Sequence, residues 1–335
     1  MRETGGTRVF FDTMDMDRKT AESGERVLAN LVIFGPGRVG AALACSMQAA
    51  GHRVLAAYGR PGGASAERFE QLTGVAVKPS PITAGAPDAA GDGEVGHTDL
   101  IPTPVIDLTE AHLVLLCLPD RLLATAAQQL AQCARFTEQA IVAHTAGSAD
   151  AKVLHPLARQ RVRTAAMHPL QTVAAAGDAG VFRGVSFILD GEESALAEVI
   201  GWIQHIGGQP VVATGLNRAR YHAAAALASN ALVALAAVVA EVSTLPGGIQ
   251  PYLPLMRGAL RNLEQLGLPD ALTGPVERGD VQTVERHLAA LAELPEALAV
   301  YQALGRVTMR LAQQKGSGNT AAQTALRELF GGDLE

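Results

Sequence analysis

The stretch LVIFGPGRVGAALA, residues 31–44, decides the fold of this chain. Its first four residues are all apolar, which is typical of a strand buried on both faces of a parallel sheet. Three glycines with the spacing G-x-G-x-x-G and an alanine-rich run follow. In such a turn the first glycine permits the bend, the second lets the main chain approach a pyrophosphate, and the third lets the helix pack on the strand. The candidate cofactor-binding residues of this turn are Gly35, Pro36, Gly37, Arg38, Val39 and Gly40.

A second apolar run, residues 53–58, follows at the distance that a βαβ unit requires. This context favours dinucleotide binding over a structural turn without a ligand. Sites for NAD usually place an acid at the end of this strand, whereas this chain has Tyr58, Gly59 and Arg60 there. Arg60 can pair with a 2′-phosphate, and Arg38 can add a second cation, although both could also be ordinary solvated arginines. We therefore expect NADP(H) rather than NAD(H).

The composition limits the classes of function. The chain has 335 residues, 48% of them hydrophobic, which suffices for a sizeable core and suggests two domains. Its formal net charge of −6 argues against a nucleic-acid partner. The three cysteines have no zinc or C-x-x-C spacing, so we expect neither a metal site nor a disulfide framework. A cytoplasmic location fits these features.

Composition also divides the chain into segments. Residues 1–26 are polar and lack the apolar stretch of a secretory signal, so we expect a flexible tail. Residues 27–214 alternate strand and helix patterns, which predicts a Rossmann-type doubly wound parallel sheet. Within them, residues 78–104 are rich in Pro, Gly, Ala and Asp and indicate a long loop insertion. Residues 215–335 show no strand pattern and predict an all-α domain.

Further candidates lie at the ends of later strands, because the carboxyl ends of parallel strands line the ligand crevice. The strand at 112–118 places Leu118 and Pro119 near the cofactor, and Asp120 is expected to cap the next helix. After the strand at 140–144, Thr145 and Ser148 are suited to face a nicotinamide ring or a substrate. His144 could point to the core or to the site. His168 follows the next short strand and could be structural or catalytic.

A long helix is expected over residues 217–242. Its apolar run, rich in alanine, predicts a helix buried in protein rather than one that spans a membrane. We expect it to form the centre of the helical domain and to contribute to a homodimer interface through the C-terminal helices. Arg218, His222 and Ser229 fall on one stripe of this helix, and Asn230 lies on the same half. These groups could line the crevice, or the first turn could simply be at the surface.

Four strings in this order indicate a family: HTAGS at 144–148, MHPLQ at 167–171, YHAAAALASN at 221–230 and LTGPVERGD at 272–280. They resemble the Rossmann-like proteins with a DUF2520 C-terminal domain, and the resemblance covers about residues 28–300. That family is similar in architecture to ketopantoate reductases, pyrroline-5-carboxylate reductases and β-hydroxyacid dehydrogenases. The resemblance implies a cofactor role for the three glycines and a site role for His168, His222 and Asn230.

The related β-hydroxyacid dehydrogenases place a catalytic lysine at the start of the corresponding helix and an asparagine one turn later. This chain has Arg218 and His222 at that spacing, and an arginine cannot donate a proton near neutral pH. The lysine mechanism therefore does not transfer directly.

Together these features predict an NADP-dependent oxidoreductase that reduces a small carbonyl compound bearing a carboxylate, with a ketopantoate-like 2-oxo acid as the first candidate. Arg218 or Arg220 would hold the carboxylate, His222 or His168 would protonate the alkoxide, and Asn230 would orient the substrate. A non-catalytic NADP(H)-binding sensor or scaffold is the alternative. A third hypothesis is an imine reductase of the pyrroline-5-carboxylate type.

Overall fold

The computed structural model describes residues 27–82, 105–174, 177–317 and 320–331. The expected tail at 1–26 and most of the expected insertion, residues 83–104, lie outside these ranges. The chain divides into two compact units, one ending at Ala226 and the other beginning at Leu227. Each unit is described by itself.

The first unit is built on a sheet of eight strands in the order β10-β9-β8-β7-β5-β1-β2-β3, and β4 and β6 pair separately. The described strands are β1 (Asn30–Phe34), β2 (Arg53–Gly59), β3 (Val77–Pro79), β4 (Ile106–Leu108), β5 (Leu113–Leu116), β6 (Ala134–Phe136), β7 (Ile141–His144), β8 (Arg163–Pro169), β9 (Ser186–Gly191) and β10 (Gln209–Val212).

The predicted doubly wound α/β class is confirmed, with one difference in strand direction. Neighbouring strands are parallel except β8 and β9, which are antiparallel, so β9 and β10 run opposite to the other six. The strand order reverses between β1 and β5, where ligands of such sheets bind. The turn after β1 and the loop after β5 therefore meet at this point.

Helices cover the sheet of the first unit and make up the second. Those that begin in the first unit are α1 (Arg38–Ala49), α2 (Ala64–Thr73), α3 (Asp120–Cys133), α4 (Glu193–His205), α5 (Arg218–Ala228) and a 3₁₀ helix (Ala151–Gln160). Those of the second are α6 (Asn230–Val242), a 3₁₀ turn (Gln250–Tyr252), α7 (Leu253–Leu266), α8 (Pro275–Arg278), α9 (Val281–Ala290), α10 (Pro295–Gln314) and α11 (Thr320–Leu329).

The apolar run of β1 supplies the core on both sides of the sheet. Leu31 and Ile33 belong to one buried cluster, and Val32 and Phe34 belong to the other. Because successive side chains of a strand point to opposite faces, a strand covered on both sides must be apolar throughout. The pattern that predicted the strand therefore also explains its burial.

The prediction of one buried helix over residues 217–242 is wrong in two respects. The helix breaks at Ser229 into α5 and α6, and none of the residues of α6 is buried. Val233 is 72% exposed and Leu227 is 71% exposed. Within Arg218–Val242 a window of 18 residues has a mean hydropathy of 2.1, so by length and composition this stretch could cross a membrane. Core helices of soluble proteins pass the same test, so this composition alone does not indicate a membrane protein.

Candidate functional site

The turn after β1 has the geometry that its glycines predict. Gly35 has a φ of +99°, and a Cβ there would overlap the carbonyl oxygen of Cys117 in the loop after β5. A Cβ on Gly40 would overlap the carbonyl oxygen of Gly35. Glycine is therefore required at both positions by the close approach of main-chain atoms.

Gly37 is different, because a Cβ on it would meet no atom within 4 Å. Gly37 is the N-cap of α1, no side chain caps this helix, and its first turn contains no acid. The N–H groups of that turn have no partner within the helix. An open main chain at a helix N-terminus is the arrangement that holds a phosphate, so the turn fits the pyrophosphate of a dinucleotide.

Beside the turn, the end of β2 carries cations and an aromatic ring. Tyr58 stacks on Phe34, with ring centres 4.8 Å apart and planes 12° apart. Gly59 is in contact with Pro36: a Cβ on Gly59 would lie 2.5 Å from the Pro36 Cδ. Arg60 is exposed, as is Arg38.

Lys78, a residue that the sequence analysis did not select, pairs in register with Tyr58. Its Nζ lies 5.9 Å from the centre of the Tyr58 ring. Sequence reasoning missed it because β3 is too short to give a clear strand pattern.

The residues predicted at the ends of β5 and β7 lie close to the glycine turn. The Leu118 Cδ2 would be 3.3 Å from a Cβ on Gly35. The side chain of Thr145 hydrogen bonds to the sulfur of Cys117, and burial raises the pKa of this thiol to about 12. Thr145 therefore joins the ends of β5 and β7 through a neutral thiol.

The predicted cap on α3 is wrong, because Pro119 is the N-cap and Asp120 is the first helical residue. The Asp120 carboxylate instead accepts a short hydrogen bond from the Ser148 hydroxyl, which follows β7. A carboxylate in the first turn remains favourable for the helix dipole. The tertiary contact with Ser148 could not be inferred from local sequence.

His144 is fully buried and has a structural role. Its Nδ1 accepts a hydrogen bond from the Ala146 N–H at 3.2 Å, and its Nε2 lies 3.0 Å from the Asp150 carbonyl oxygen. Because Nδ1 is an acceptor, Nε2 carries the proton and donates to Asp150. Burial lowers the pKa of His144, so the ring stays neutral and stabilises the turn that follows β7.

A second imidazole, His168, is brought together with α5 at the carboxyl end of β8. Its Nδ1 lies 2.5 Å from the Tyr221 hydroxyl, and its ring centre lies 6.4 Å from that of His222. Gly147 is between the two histidines: a Cβ there would lie 2.9 Å from the His168 Nε2 and 2.8 Å from the His222 Cδ2. The four residues Gly147, His168, Tyr221 and His222 form what we call the imidazole cluster.

Burial is the main reason that the pKa of His168 falls to about 4, and the neighbouring His222 and Arg218 lower it further. Burial also raises the pKa of Tyr221 to about 12. Both side chains of this hydrogen-bonded pair are therefore neutral near pH 7.

Arg218 begins α5 and is only 8% exposed. Its Nη2 lies 3.4 Å from the Asp190 carboxylate at the end of β9, but neither terminal nitrogen makes a hydrogen bond to any residue that the structure describes. Asp190 also accepts a hydrogen bond from the Ala151 N–H. A buried guanidinium with one ion pair is under-satisfied, which is unusual and indicates either a structural tie or a reserve of donors for an anion.

Two of the predicted substrate contacts remain outside this cluster. Arg220 is exposed, and its N–H is capped by the Asn217 side chain. Asn230 begins α6 in the second unit, where its side chain accepts a hydrogen bond from Ser229. Its role at the site therefore stays a prediction.

Comparison with known proteins identifies the family. A model of the Rossmann-like domain matches residues 57–169, and a model of the domain of unknown function DUF2520 matches residues 185–308. This chain is a Rossmann-like protein with a DUF2520 domain. The resemblance stated from the four sequence strings is thereby confirmed. Gly147 and His168 lie in the region that matches the Rossmann-like domain, whereas Tyr221 and His222 lie in the region that matches DUF2520. The imidazole cluster therefore contains residues from both matched regions.

Solved structures share the fold at low sequence identity. A proposed NADP oxidoreductase from Bacteroides fragilis is 23% identical, with a TM-score of 0.64 over 84% of this chain and 98% of its own. A protein from Thermotoga maritima is also 23% identical, with a TM-score of 0.58 over 85% and 99% of the two chains. A pyrroline-5-carboxylate reductase from Coxiella burnetii is 12% identical, with a TM-score of 0.51 over 90% and 99%. No curated protein gave a significant match.

Proposed function

We propose that this protein is an NADP(H)-dependent oxidoreductase that reduces a small carbonyl compound bearing a carboxylate, with a ketopantoate-like 2-oxo acid as the first candidate. The observation that carries the proposal is the turn at residues 35–40, where Gly37 leaves the main chain open beside the N-terminus of α1. The solved structures of similar fold include a proposed NADP oxidoreductase and a pyrroline-5-carboxylate reductase, which agrees with this class of reaction.

The preference for NADP(H) is supported by the charges near the end of β2. Arg60, Arg38 and Lys78 are cationic and exposed, and β2 ends in Gly59 without an acid for the ribose hydroxyls. Replacing Arg60 by Ala should weaken NADPH binding by about tenfold, or 1.4 kcal/mol, and leave NADH binding nearly unchanged. Equal affinity of the wild-type protein for the two nucleotides would contradict the preference.

When bound, the reduced nicotinamide supplies a hydride, and the chain binds the substrate and provides a proton. His168 and His222 flank Gly147 and are the candidates for the group that protonates the alkoxide oxygen. Arg220 is exposed and available to a carboxylate, whereas Arg218 could bind one only after turning away from Asp190. Asn230 remains the proposed residue for orienting the substrate.

The direct test is calorimetric titration of NADPH and NADH into wild-type protein and into Gly37→Val. A Cβ at Gly37 meets no atom of the described residues within 4 Å, so the variant should fold normally but block the phosphates and weaken binding by at least about tenfold. Gly201→Val is the matched control, because a Cβ at Gly201 in α4 also meets nothing within 4 Å. Folded wild-type protein that binds neither nucleotide would overturn the proposal.

The substrate is tested by following NADPH oxidation with a panel of 2-oxo acids that includes ketopantoate. The imine-reductase hypothesis is separated by the reverse reaction, because such an enzyme would reduce NADP in the presence of proline. If the protein oxidises proline but no hydroxy acid, the substrate is an imine and not a carbonyl compound.

A second candidate, a non-catalytic NADP(H)-binding sensor or scaffold, is favoured by Arg218. This residue stands where the related dehydrogenases have a catalytic lysine, and it is buried in an ion pair. Tight NADPH binding without turnover on 2-oxo acids, hydroxy acids and imines would favour this function over the reductase.

We also propose that the protein is a homodimer whose interface includes α6. This helix is strongly apolar, and none of its residues is buried within the chain. A second copy offers an equally apolar surface, and closed symmetric dimers are the commonest assemblies of soluble chains. Sedimentation equilibrium in detergent-free buffer tests this, and a monomer at micromolar concentration would contradict it.

A further inference from the structure

The two ring nitrogens of His168 have different surroundings. Nδ1 lies 2.5 Å from the Tyr221 hydroxyl, and the two rings are perpendicular, 89° apart with centres at 5.6 Å. Nε2 has no hydrogen-bond partner among the residues that the structure describes. It faces Gly147, where a Cβ would lie only 2.9 Å from Nε2 and 2.8 Å from the His222 Cδ2, so glycine is what allows the main chain to approach both rings.

The chemistry of this contact decides which atom donates. A phenol hydroxyl is a good donor and can also accept, whereas a neutral imidazole has one donor and one acceptor nitrogen. If Tyr221 donates to Nδ1, the proton of His168 must lie on Nε2. The opposite arrangement would leave the Tyr221 proton without an acceptor in the described part of the chain. The first arrangement satisfies both groups and is therefore favoured.

We propose that Tyr221 is a positioning residue that holds neutral His168 as the Nε2–H tautomer, and that His168 acts on a substrate carbonyl as a neutral hydrogen-bond donor. The donor is next to Gly147, and the His168 side chain is half-buried. The lowered pKa of His168 agrees with this role, because an imidazolium would be scarce near pH 7. The assignment of the His168 tautomer depends only on the geometry of its contact with Tyr221. The action of His168 on a carbonyl depends in addition on the proposed function.

The proton balance of the reduction can be written with these groups. A bound reduced nicotinamide would supply a hydride to the carbonyl carbon, and the electron pair of the broken C=O π bond would pass to the oxygen as an alkoxide. The alkoxide oxygen takes the proton from Nε2, and Nδ1 takes the proton from the Tyr221 hydroxyl. The phenolate then takes a proton from water. Burial raises the pKa of Tyr221 to about 12 and the charge of Arg218 opposes this only in part, so the phenolate is short-lived.

The tautomer is measured without any substrate, by long-range ¹⁵N NMR of histidine side chains at pH 7, with His168→Gln used to assign the signals. We expect a proton on the His168 Nε2 and a hydrogen-bonded Nδ1. In Tyr221→Phe the Nδ1 resonance should move towards that of an unbonded nitrogen, and the pKa of His168 should rise, because a donor to the neutral form is lost. A proton on Nδ1 in the wild type, or unchanged resonances in Tyr221→Phe, would overturn the proposal.

The chain offers a matched control in the second unit. The Tyr301 hydroxyl lies 2.8 Å from the His287 Nδ1, with the rings 85° apart and their centres at 5.8 Å. Tyr301→Phe removes the same kind of contact and should change the His287 signals but not those of His168. A change at His168 in this control would show that the Tyr221→Phe effect is not local.

The catalytic part is tested with the 2-oxo acid that the panel identifies. Tyr221→Phe should lower kcat by about 10²-fold with little change in KM, because the lost group acts on proton transfer and not on binding. An undiminished kcat would overturn the role of the pair. If the wild-type protein turns over no carbonyl compound, the proposed function and the catalytic role fail together, while the NMR result still decides the tautomer.

Discussion

The two units of this protein differ in how far they bury their own apolar side chains. The first has large buried clusters on both faces of its sheet, with Phe34, Phe69, Phe182 and Phe187 fully enclosed. The buried cluster of the second consists of Val284, Met309, Leu326 and Phe330, and the residues of α6 are not buried. The described part of the first unit therefore buries its apolar side chains within itself, whereas α6 of the second keeps apolar side chains exposed, which agrees with the proposed dimer interface.

The largest expected effect lies in the first unit and follows from Gly35→Ala. The substitution combines a positive φ with overlap of the Cys117 carbonyl, so we expect a loss of about 3–5 kcal/mol in unfolding free energy and loss of NADPH binding. Fluorescence of Trp202, the single tryptophan, reports on this unit because it is buried in α4.

Gly62→Ala is its control, since Gly62 has a φ of +69° but a Cβ there meets nothing within 4 Å. Its cost should be only about 1 kcal/mol. Equal costs for the two variants would show that the contact with Cys117 is unimportant.

A smaller effect is expected from Gly305→Ala in the core of the second unit. A Cβ there would overlap the Phe330 ring, which must shift, at a cost of about 1–3 kcal/mol. Hydrogen exchange of α10 amides provides the measurement. A Cβ on Gly258 in α7 would make only an ordinary contact, 3.8 Å from the Arg261 Nη2, so Gly258→Ala should instead stabilise its helix by about 0.5–1 kcal/mol. If Gly305→Ala and Gly258→Ala changed the stability in the same direction, the close packing of Gly305 against Phe330 would be contradicted.

The exposed apolar helix gives a prediction about assembly. Val233→Lys places a charge on α6 at a position that is 72% exposed in the single chain, so the fold should be unaffected. If α6 lies in a dimer interface, the dissociation constant should rise by tenfold or more, equivalent to at least about 1.4 kcal/mol. Gln265→Lys, an exposed polar position on α7, should leave the constant unchanged. Sedimentation equilibrium compares the two variants.

The smallest expected effect is a pH dependence in the first unit. Because the pKa of His168 is about 4 when folded and near 6.5 when unfolded, the unfolded state binds more protons between these values. Stability is therefore retained above pH 6.5 and is lost as the pH falls towards 4, by about 1 kcal/mol after solvent screening. Denaturant unfolding of His168→Gln, followed by Trp202 fluorescence, should show a weaker dependence than the wild type. The same dependence in both would contradict the prediction.

The parts of the molecule that depend on local sequence were predictable. The strand, turn and helix at residues 30–49 follow from an apolar run and three glycine spacings, which are properties of adjacent residues. The absence of a strand pattern over residues 215–335 likewise predicted helices there, and the described elements of that range are helical. The short elements were not predicted, namely β3, β4, β6, α8, α11, the 3₁₀ helix after β7 and the 3₁₀ turn before α7.

Features that depend on contacts between residues far apart in the sequence could be predicted only in part. His168 and His222 were selected as candidates, but the contact between His168 and Tyr221 joins residues 53 positions apart. The need for glycine at position 147 depends on two imidazoles from other elements. The reversal of β9 was missed because an apolar run has the same pattern in either strand direction. The composition of α6 showed that it is apolar but not what covers it.

The ion pair between Arg218 and Asp190 sets the alignment of α5 against the sheet. Tyr221 and His222 follow Arg218 by three and four residues, so they lie one turn further along the same face. One residue added between β10 and α5 would rotate this helix by about 100° if the ion pair were lost, and would carry both side chains away from His168. The length of the five-residue connection at 213–217 is therefore a constraint on the chemistry of the site.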